Sequence, residues 1–242
     1  MFNWFKSKPS VEGNPLLTDI HSHLLPGLDD GVKNFEESES IITRFISMGY
    51  TKLITTPHVM SDSYRNTSEM ILEKLEELKT YLDSKNISIK IEAAAEYYLD
   101  EDLVKKVEHD EPLLTFGNRY LLFEMNFMTE PFQLKEFIFL LSTKGYTPVL
   151  AHPERYIFLQ NNIAKLEDLM NRGVLLQVNT SSLTGYYSIP AKQTARKLID
   201  KGWVNFLGSD CHSMQHVDLL KQAQPGRYFQ KALTLPLLNN TL

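Results

Sequence analysis

Seven short apolar runs recur along the chain, each bounded by turn residues and separated from the next by a helical pattern. They occupy residues 16–22 (LLTDIHS), 52–56 (KLITT), 87–95 (ISIKIEAAA), 120–124 (YLLFE), 147–151 (TPVLA), 175–179 (LLQVN) and 204–208 (VNFLG). Short runs of this kind suit parallel strands covered on both faces. Between them, Phe35, Ile41, Ile42, Phe45 and Met48 mark one helical face that stops at Gly49. Asn66 or Thr67 caps a second, with Ile71, Leu75, Leu78 and Leu82 inward. Pro131 opens a third, with Phe132, Phe137, Leu140 and Leu141 inward. Residues 163–172 and 190–200 read as two more, ending at Gly173 and Gly202.

The polar residues fall in a pattern within this framework. His21 and His23 lie at the end of the first run, His58 follows the second, and Glu96, Glu124 and His152 close the third, fourth and fifth. Asp210 and His212 follow the seventh. In a closed β/α barrel the C-terminal ends of the strands share one face, where active sites sit. An open doubly wound sheet would gather these residues less well. The expectation is therefore an α/β protein: a distorted, TIM-like (β/α)7 barrel, one domain over residues 1–242.

The residue types point to metal chemistry. Alternate residues of an extended segment share a face, so His21 and His23 of DIHSH can grip one ion. Asp210 and His212 repeat that spacing in GSDCH, and Asp30 lies in the loop LPGLDDG. Each motif alone has a bland reading, as a turn or a hydrogen-bonded histidine. Five of the seven histidines track strand ends, however, and a carboxylate closing an apolar strand is costly unless paired or metal-bound. The set is His21, His23, Asp30, His58, Glu96, Glu124, His152, Asp210 and His212. Nine nitrogen and oxygen donors without a thiolate suit Mn, Fe, Zn or Mg. They are too many for one ion, so two or three are expected.

Taken together, DIHSHLLPGLDDG, TTPH, AAAEYYLD, LLFEM, AHPER and GSDCH resemble the polymerase-and-histidinol-phosphatase (PHP) family. Within it they resemble the bacterial tyrosine-protein phosphatases of capsular and exopolysaccharide operons. The likeness spans residues 16–216. It implies a distorted seven-stranded barrel and a trinuclear centre, often manganese. It would place the first ion on His21, His23, Glu96 and Asp210, and a second on Glu96, Glu124 and His152. The third would fall to Asp30, His58 and His212. It implies a protein-tyrosine phosphatase whose partner is a bacterial tyrosine kinase tail. That family commonly carries an arginine just after its last metal motif. Residues 213–218 (SMQHVD) have none, which leaves His216, Arg155 and Arg65 as the phosphate-side candidates.

The expected reaction is attack on phosphorus by metal-activated hydroxide. A phenolate leaving group needs little protonation. Tyr97, Tyr98, Phe127, Tyr156, Phe158, Tyr186 and Tyr187 are candidates to stack on a phosphotyrosine ring. Rival readings are a small-molecule phosphatase acting on, for instance, histidinol phosphate, a nuclease or proofreading module, or a catalytically weak metal-binding regulator. A net charge of −5 without a basic block argues against nucleic acid. Cys211, the only cysteine, excludes an intramolecular disulfide, and five residues after it comes Val217, not the arginine of a Cys-x5-Arg phosphatase. No run approaches the ~20 apolar residues of a membrane span. Residues 1–9, with Trp4, Phe5, Lys6 and Lys8, lack the apolar run of a signal peptide. A cytoplasmic protein is expected. The tail after Pro225 is apolar enough to dock on the barrel or on another subunit as a homo-oligomer.

Overall fold

The computed structural model describes residues 15–242, so Trp4, Phe5, Lys6 and Lys8 lie outside the described residues. Its strands are β1 (Thr18–Asp19), β2 (Lys52–Thr55), β3 (His58–Val59), β4 (Lys90–Ala93), β5 (Glu96–Tyr98), β6 (Tyr120–Glu124), β7 (Thr147–Ala151), β8 (Leu175–Asn179) and β9 (Phe206–Gly208). They form two parallel ladders, in the orders β1-β2-β4 and β3-β5-β6-β7-β8-β9. The result is an α/β fold built on a curled parallel sheet.

Two strands expected to be continuous are each cut in two. Residues 52–56 end early because Pro57 has no N–H to give a ladder, and the run 87–95 breaks at Ala94 and Ala95. The register nonetheless continues across both cuts: Thr55 faces Ala93 and His58 faces Glu96, the same offset of 38 positions. The first strand is shorter than expected, but its extension stays engaged. Ser22 bridges Cys211, the Asp210 N–H donates to the His21 carbonyl at 2.8 Å, and the His23 N–H donates to the Cys211 carbonyl at 2.9 Å.

Eight α-helices lie among the described residues: α1 (Phe35–Ser47), α2 (Ser68–Ser84), α3 (Glu101–Glu108), α4 (Leu134–Thr143), α5 (Ile163–Asn171), α6 (Ile189–Lys201), α7 (Met214–Ala223) and α8 (Arg227–Ala232). Side chains of Asn34, Thr67, Asp100, Asn162 and Ser188 accept N–H groups of the first turns of α1, α2, α3, α5 and α6. Between Asn66 and Thr67, the cap of α2 is Thr67. Helix α4 starts three residues after Pro131, which leaves Phe132 outside it and 98% exposed rather than inward. Helices α3, α7 and α8 were not anticipated. No helix among the described residues is long and apolar enough to cross a membrane.

On the strands or just past their ends, Ile20, Ile54, Ala94, Leu122, Val149, Ala151 and Phe206 form a small buried cluster apart from the larger core. The chain's last residues close its lower end, with Leu238 and Leu242 packed beside Phe116 and Tyr120. The tail thus docks on its own strands. Asn239, in the 3-10 turn Leu238–Thr241, is buried and ties the two ends of the sequence together. It accepts the Leu207 N–H at 3.0 Å and donates to the carbonyls of Leu207 at 2.7 Å and Thr18 at 3.0 Å. Asn239→Ala would strand these groups in a dry interior. We expect a loss of about 2–4 kcal/mol of unfolding free energy in urea titration; a loss below about 0.5 kcal/mol would show that the tail is not a structural tie.

Candidate metal centre

The curl of the sheet sets the ends of its strands around one point. His21 and His23 come from the extension of β1, His58 from β3, Glu96 from β5 and Glu124 from β6. His152 follows β7, and Asp210 and His212 follow β9. Glu96 lies at the middle, with no solvent exposure. Its Oε2 lies 3.1 Å from His21 Nε2, 3.5 Å from His23 Nε2 and 3.2 Å from His58 Nδ1, while its Oε1 lies 3.1 Å from His152 Nε2.

Among the described residues, three groups have possible ligand atoms within 4.8 Å of one another. One is His21, His23, Glu96 and Asp210, the set expected for the first ion. The second joins Glu96 and Glu124 to His58. His152, expected there, sits alongside at 3.7 Å from Glu124 Oε2. The third joins His58 and His212 to His23. Asp30 reaches the same two imidazoles, its Oδ1 3.5 Å from both His58 Nε2 and His212 Nε2.

Neighbouring side chains orient these groups. His21 Nδ1 donates to Gln177 Oε1 at 2.8 Å, and His23 Nδ1 donates to Asp29 Oδ2 at 2.8 Å. Each bond puts the ring proton on Nδ1 and leaves a lone pair on Nε2. The two Nε2 atoms face each other at 3.3 Å, and both face the carboxylates of Glu96 and Asp210. Glu96 Oε2 and Glu124 Oε1 are buried without a donor in hydrogen-bonding geometry. Converging lone pairs and orphaned buried oxygens are an arrangement that needs cations, and the all-nitrogen-and-oxygen donor set fits divalent ones. Without them, burial disfavours the His21 imidazolium, but the charges of Glu96 and Asp210 outweigh it and raise its pKa to about 9.

Local backbone follows the same purpose. A Cβ at Gly31 would lie 2.3 Å from the His23 carbonyl oxygen, so the DDG turn can close under His23 only with glycine there. His152 and Asp210 adopt left-handed backbone, φ 35° and 51°, a strained conformation for such residues. Asp29 accepts from His23 Nδ1 and from the N–H groups of Gly31 and His58. Burial alone would raise its pKa, but the His23 charge and these bonds hold it well below the usual carboxylate range.

An open cavity of about 1160 Å³ lies over the cluster. Arg155 and His216 line it. Arg155 donates to Asp210 Oδ2 at 2.9 Å, and its guanidinium sits 4.5 Å from the Phe127 ring centre and 4.1 Å from that of Tyr187. His216 Nδ1 accepts from the His212 N–H at 3.4 Å. Burial, against the pull of Asp210, lowers the pKa of His216 to about 4. Arg65 stands apart: it donates to the Ser61 carbonyl at 2.6 Å and lines a separate cavity of about 150 Å³ with Asp100 and Lys106. Of the expected aromatic residues, Phe127, Tyr186 and Tyr187 face the main cavity. Tyr97 and Tyr156 are buried, and Tyr98 and Phe158 lie outside the cavity lining.

Sequence reasoning missed Asp29, Gln177, Asn179, Tyr187 as a partner of Asp210, and Tyr64, which stacks on His58 with ring centres 5.6 Å apart. A polar residue inside an apolar strand, as in LLQVN, was the available signal for Gln177 and Asn179.

A family model for capsular polysaccharide synthesis, CpsB/CapC, matches residues 17–223. The chain belongs to the CpsB/CapC family. A putative tyrosine-protein phosphatase CapC of Staphylococcus aureus is 31% identical over 198 residues, covering 82% of this chain and 78% of that protein. A tyrosine-protein phosphatase CpsB of Streptococcus pneumoniae is 28% identical over 203 residues, covering 82% and 84%. In structure, the chain is similar to a solved chain from the work on YwqE of Bacillus subtilis and CpsB of Streptococcus pneumoniae, described as unique metal-dependent tyrosine phosphatases, with a TM-score of 0.79, 25% identity and 89% of each chain covered.

For this CpsB/CapC member, Glu96→Gln removes the charge shared by four imidazoles. We expect purified Glu96→Gln protein to carry at least one divalent ion fewer per chain than wild type by elemental analysis. Equal metal content in the two would show that Glu96 is not a ligand.

Proposed function

We propose that this chain is a metal-dependent protein-tyrosine phosphatase that hydrolyses phosphotyrosine on a bacterial tyrosine kinase and so serves capsule and exopolysaccharide production. The observation that carries the reading is the nine-residue cluster of nitrogen and oxygen donors beneath a cavity flanked by Arg155. The family and its phosphatase relatives support it. In this reading the nine residues hold two or three divalent ions, manganese foremost, with iron, zinc or magnesium as alternatives. We read the two ladders as one single-domain barrel of seven strand positions, closed where Ser22 meets Cys211. The cytoplasm is the compartment this reading assigns, since a tyrosine kinase draws on ATP there.

When bound, divalent ions lower the pKa of water and neutralise charge on phosphoryl oxygens. The chain's own residues supply the rest. Arg155 offers a guanidinium already held between Phe127 and Tyr187 and pinned by Asp210. It therefore loses little freedom when it binds a phosphoryl oxygen. The Asp210 carboxylate is fixed in turn by donors on Asn179, at 2.7 Å, and Tyr187, at 3.2 Å. The lowered pKa of His216 keeps it neutral at pH 7, and acceptance by Nδ1 leaves the ring proton on Nε2. His216 thus contributes a hydrogen-bond donor rather than a charge, taking part of the role of the absent arginine. Tyr64, Phe127 and Tyr186 provide ring faces for the tyrosyl group. The phenolate leaves without a dedicated acid.

Burial raises the Cys211 thiol pKa far above its ordinary value, and its Sγ donates to the Ser213 carbonyl at 3.4 Å. It is a packed side chain, not a nucleophile.

The central test is turnover of a phosphotyrosine peptide by wild-type protein with and without added Mn²⁺, beside His21→Ala and beside histidinol phosphate as a competing substrate. We expect metal-dependent turnover that His21→Ala abolishes and that favours the peptide. Absence of metal-dependent turnover in the wild type would overturn the assignment, and preference for histidinol phosphate would redirect it to a small-molecule phosphatase. Arg155→Ala should lower kcat/KM about a hundredfold, on the order of 2.7 kcal/mol, with metal content unchanged. Cys211→Ser should keep most activity; a hundredfold loss with metals still bound would contradict this mechanism.

A further inference from the structure

A second cavity, of about 460 Å³, lies between α6 and the junction of α7 and α8. Its charged lining residues are Lys192, Arg196 and Arg227, and no carboxylate lines it. Arg196 Nε is buried without a hydrogen-bond partner, and among the described residues neither Arg196 nor Arg227 forms an ion pair. Their guanidinium groups lie 4.7 Å and 5.8 Å from the ring centre of Tyr228. The nearest acid on α6, Asp200, is already engaged by Lys231 at 2.5 Å and Tyr228 OH at 3.3 Å.

The bland explanation is that these cations offset the C-terminal carbonyls of α7. The hydrogen bonds do not support it: the Ala223 carbonyl accepts the Gly226 N–H at 2.8 Å, and the Gln224 carbonyl accepts Gln230 Nε2 at 2.8 Å. Lys192 Nζ instead donates to the Thr184 carbonyl at 3.0 Å. A chain with a net charge of −5 therefore keeps three cations around one concavity, one of them with a buried and unused donor. Leaving such a donor unpaired is costly, and an oxyanion would satisfy it.

The cleft is joined to the metal cavity by two short segments. Thr184 lines the cleft, and Tyr186 and Tyr187 line the metal cavity. Helix α7 spans the two, with Met214 at the metal cavity and Ala223 at the cleft. At 1.5 Å per residue these ends are about 14 Å apart. An extended peptide covers that distance in about four residues.

We propose that this cleft is a second, oxyanion-binding subsite that holds a phosphate or carboxylate group of the protein substrate about four residues from the phosphotyrosine being hydrolysed. The proposal rests on the phosphatase reading above for its substrate, but the anion site itself does not depend on turnover. It makes the enzyme select for acidic or multiply phosphorylated sequences through binding rather than through the chemical step.

Two measurements test it on the metal-loaded protein. In the first, phosphotyrosine peptides carry phosphoserine, glutamate or glutamine four residues to either side. Both anionic peptides should show KM about tenfold below the glutamine peptide with kcat unchanged; a gain confined to phosphoserine would identify the site as phosphate-selective. The doubly substituted Arg196→Gln/Arg227→Gln protein, and the single Arg227→Gln protein altered only at an exposed position, should lose that preference while p-nitrophenyl phosphate turnover stays the same. Equal KM for all peptides, or a preference that survives both variants, overturns the proposal. In the second, inorganic phosphate is titrated into zinc-loaded protein while the Arg196 Nε–H resonance is followed. A saturable shift supports the subsite even if no phosphatase activity is found, and an unmoved resonance rejects it.

Discussion

A carboxylate with no access to water sits at the centre of this molecule, and most of the architecture answers to it. Glu96 faces His21, His23, His58 and His152 at 3.1–3.5 Å. A charge so placed costs several kcal/mol unless partners compensate it. Those partners come from the extension of β1, from β3 and from the end of β7, so they are in place only when the sheet has curled. The curl and the charged centre thus require each other. This also explains why the two cut strands keep their register: a one-residue slip between β3 and β5 would turn Glu96 away from His58.

Around that centre lies a layer of side chains that hold the converging imidazoles and carboxylates still. Gln177 and Asp29 set the tautomers of His21 and His23, and Asn179, Tyr187 and Arg155 converge on Asp210. Glu154, two residues after His152 in sequence, is equally committed to support. Its Oε1 accepts from Ser182 Oγ at 2.6 Å and from the Asn179 N–H at 2.9 Å, and burial pushes its pKa up to about 7. The left-handed backbone at His152 and Asp210 fits such a tightly determined setting, where local strain is offset by surrounding contacts.

Much of this was legible in the sequence because strand ends leave local marks. A histidine or carboxylate that closes an apolar run is visible without any knowledge of what it will meet, and so Glu96, Glu124 and His152 stood out. Asp29 and Asp30 did not separate, since adjacent aspartates in a turn differ only in direction. Asp30 reaches the imidazoles of His58 and His212, whereas Asp29 is the buried partner of His23. The break after Thr55 is marked locally by Pro57, which cannot donate to a ladder, whereas the break at Ala94 depends on pairing with a strand about forty residues away, which no local pattern records. Phe132 failed as an inward residue because the helix begins at Leu134, and a hydrophobic period fixes which face of a helix is buried but not the residue at which the helix starts. The cationic cleft was invisible for a similar reason: Lys192, Arg196 and Arg227 come together only through the packing of α6 against α8.

The tie made by Asn239 and the pairing of His21 and His23 with Asp210 and Cys211 join residues that are some 190 to 220 positions apart. Closing loops of that length costs entropy before any contact repays it, and folds dominated by such contacts form slowly. On the ribosome, the early strands emerge with their histidines long before Asp210 exists to complete the pocket. The cluster around Glu96, which needs both the first and the last strand, is therefore among the last features of the fold to be completed, and until then its early histidines have no buried carboxylate of the late segment to face.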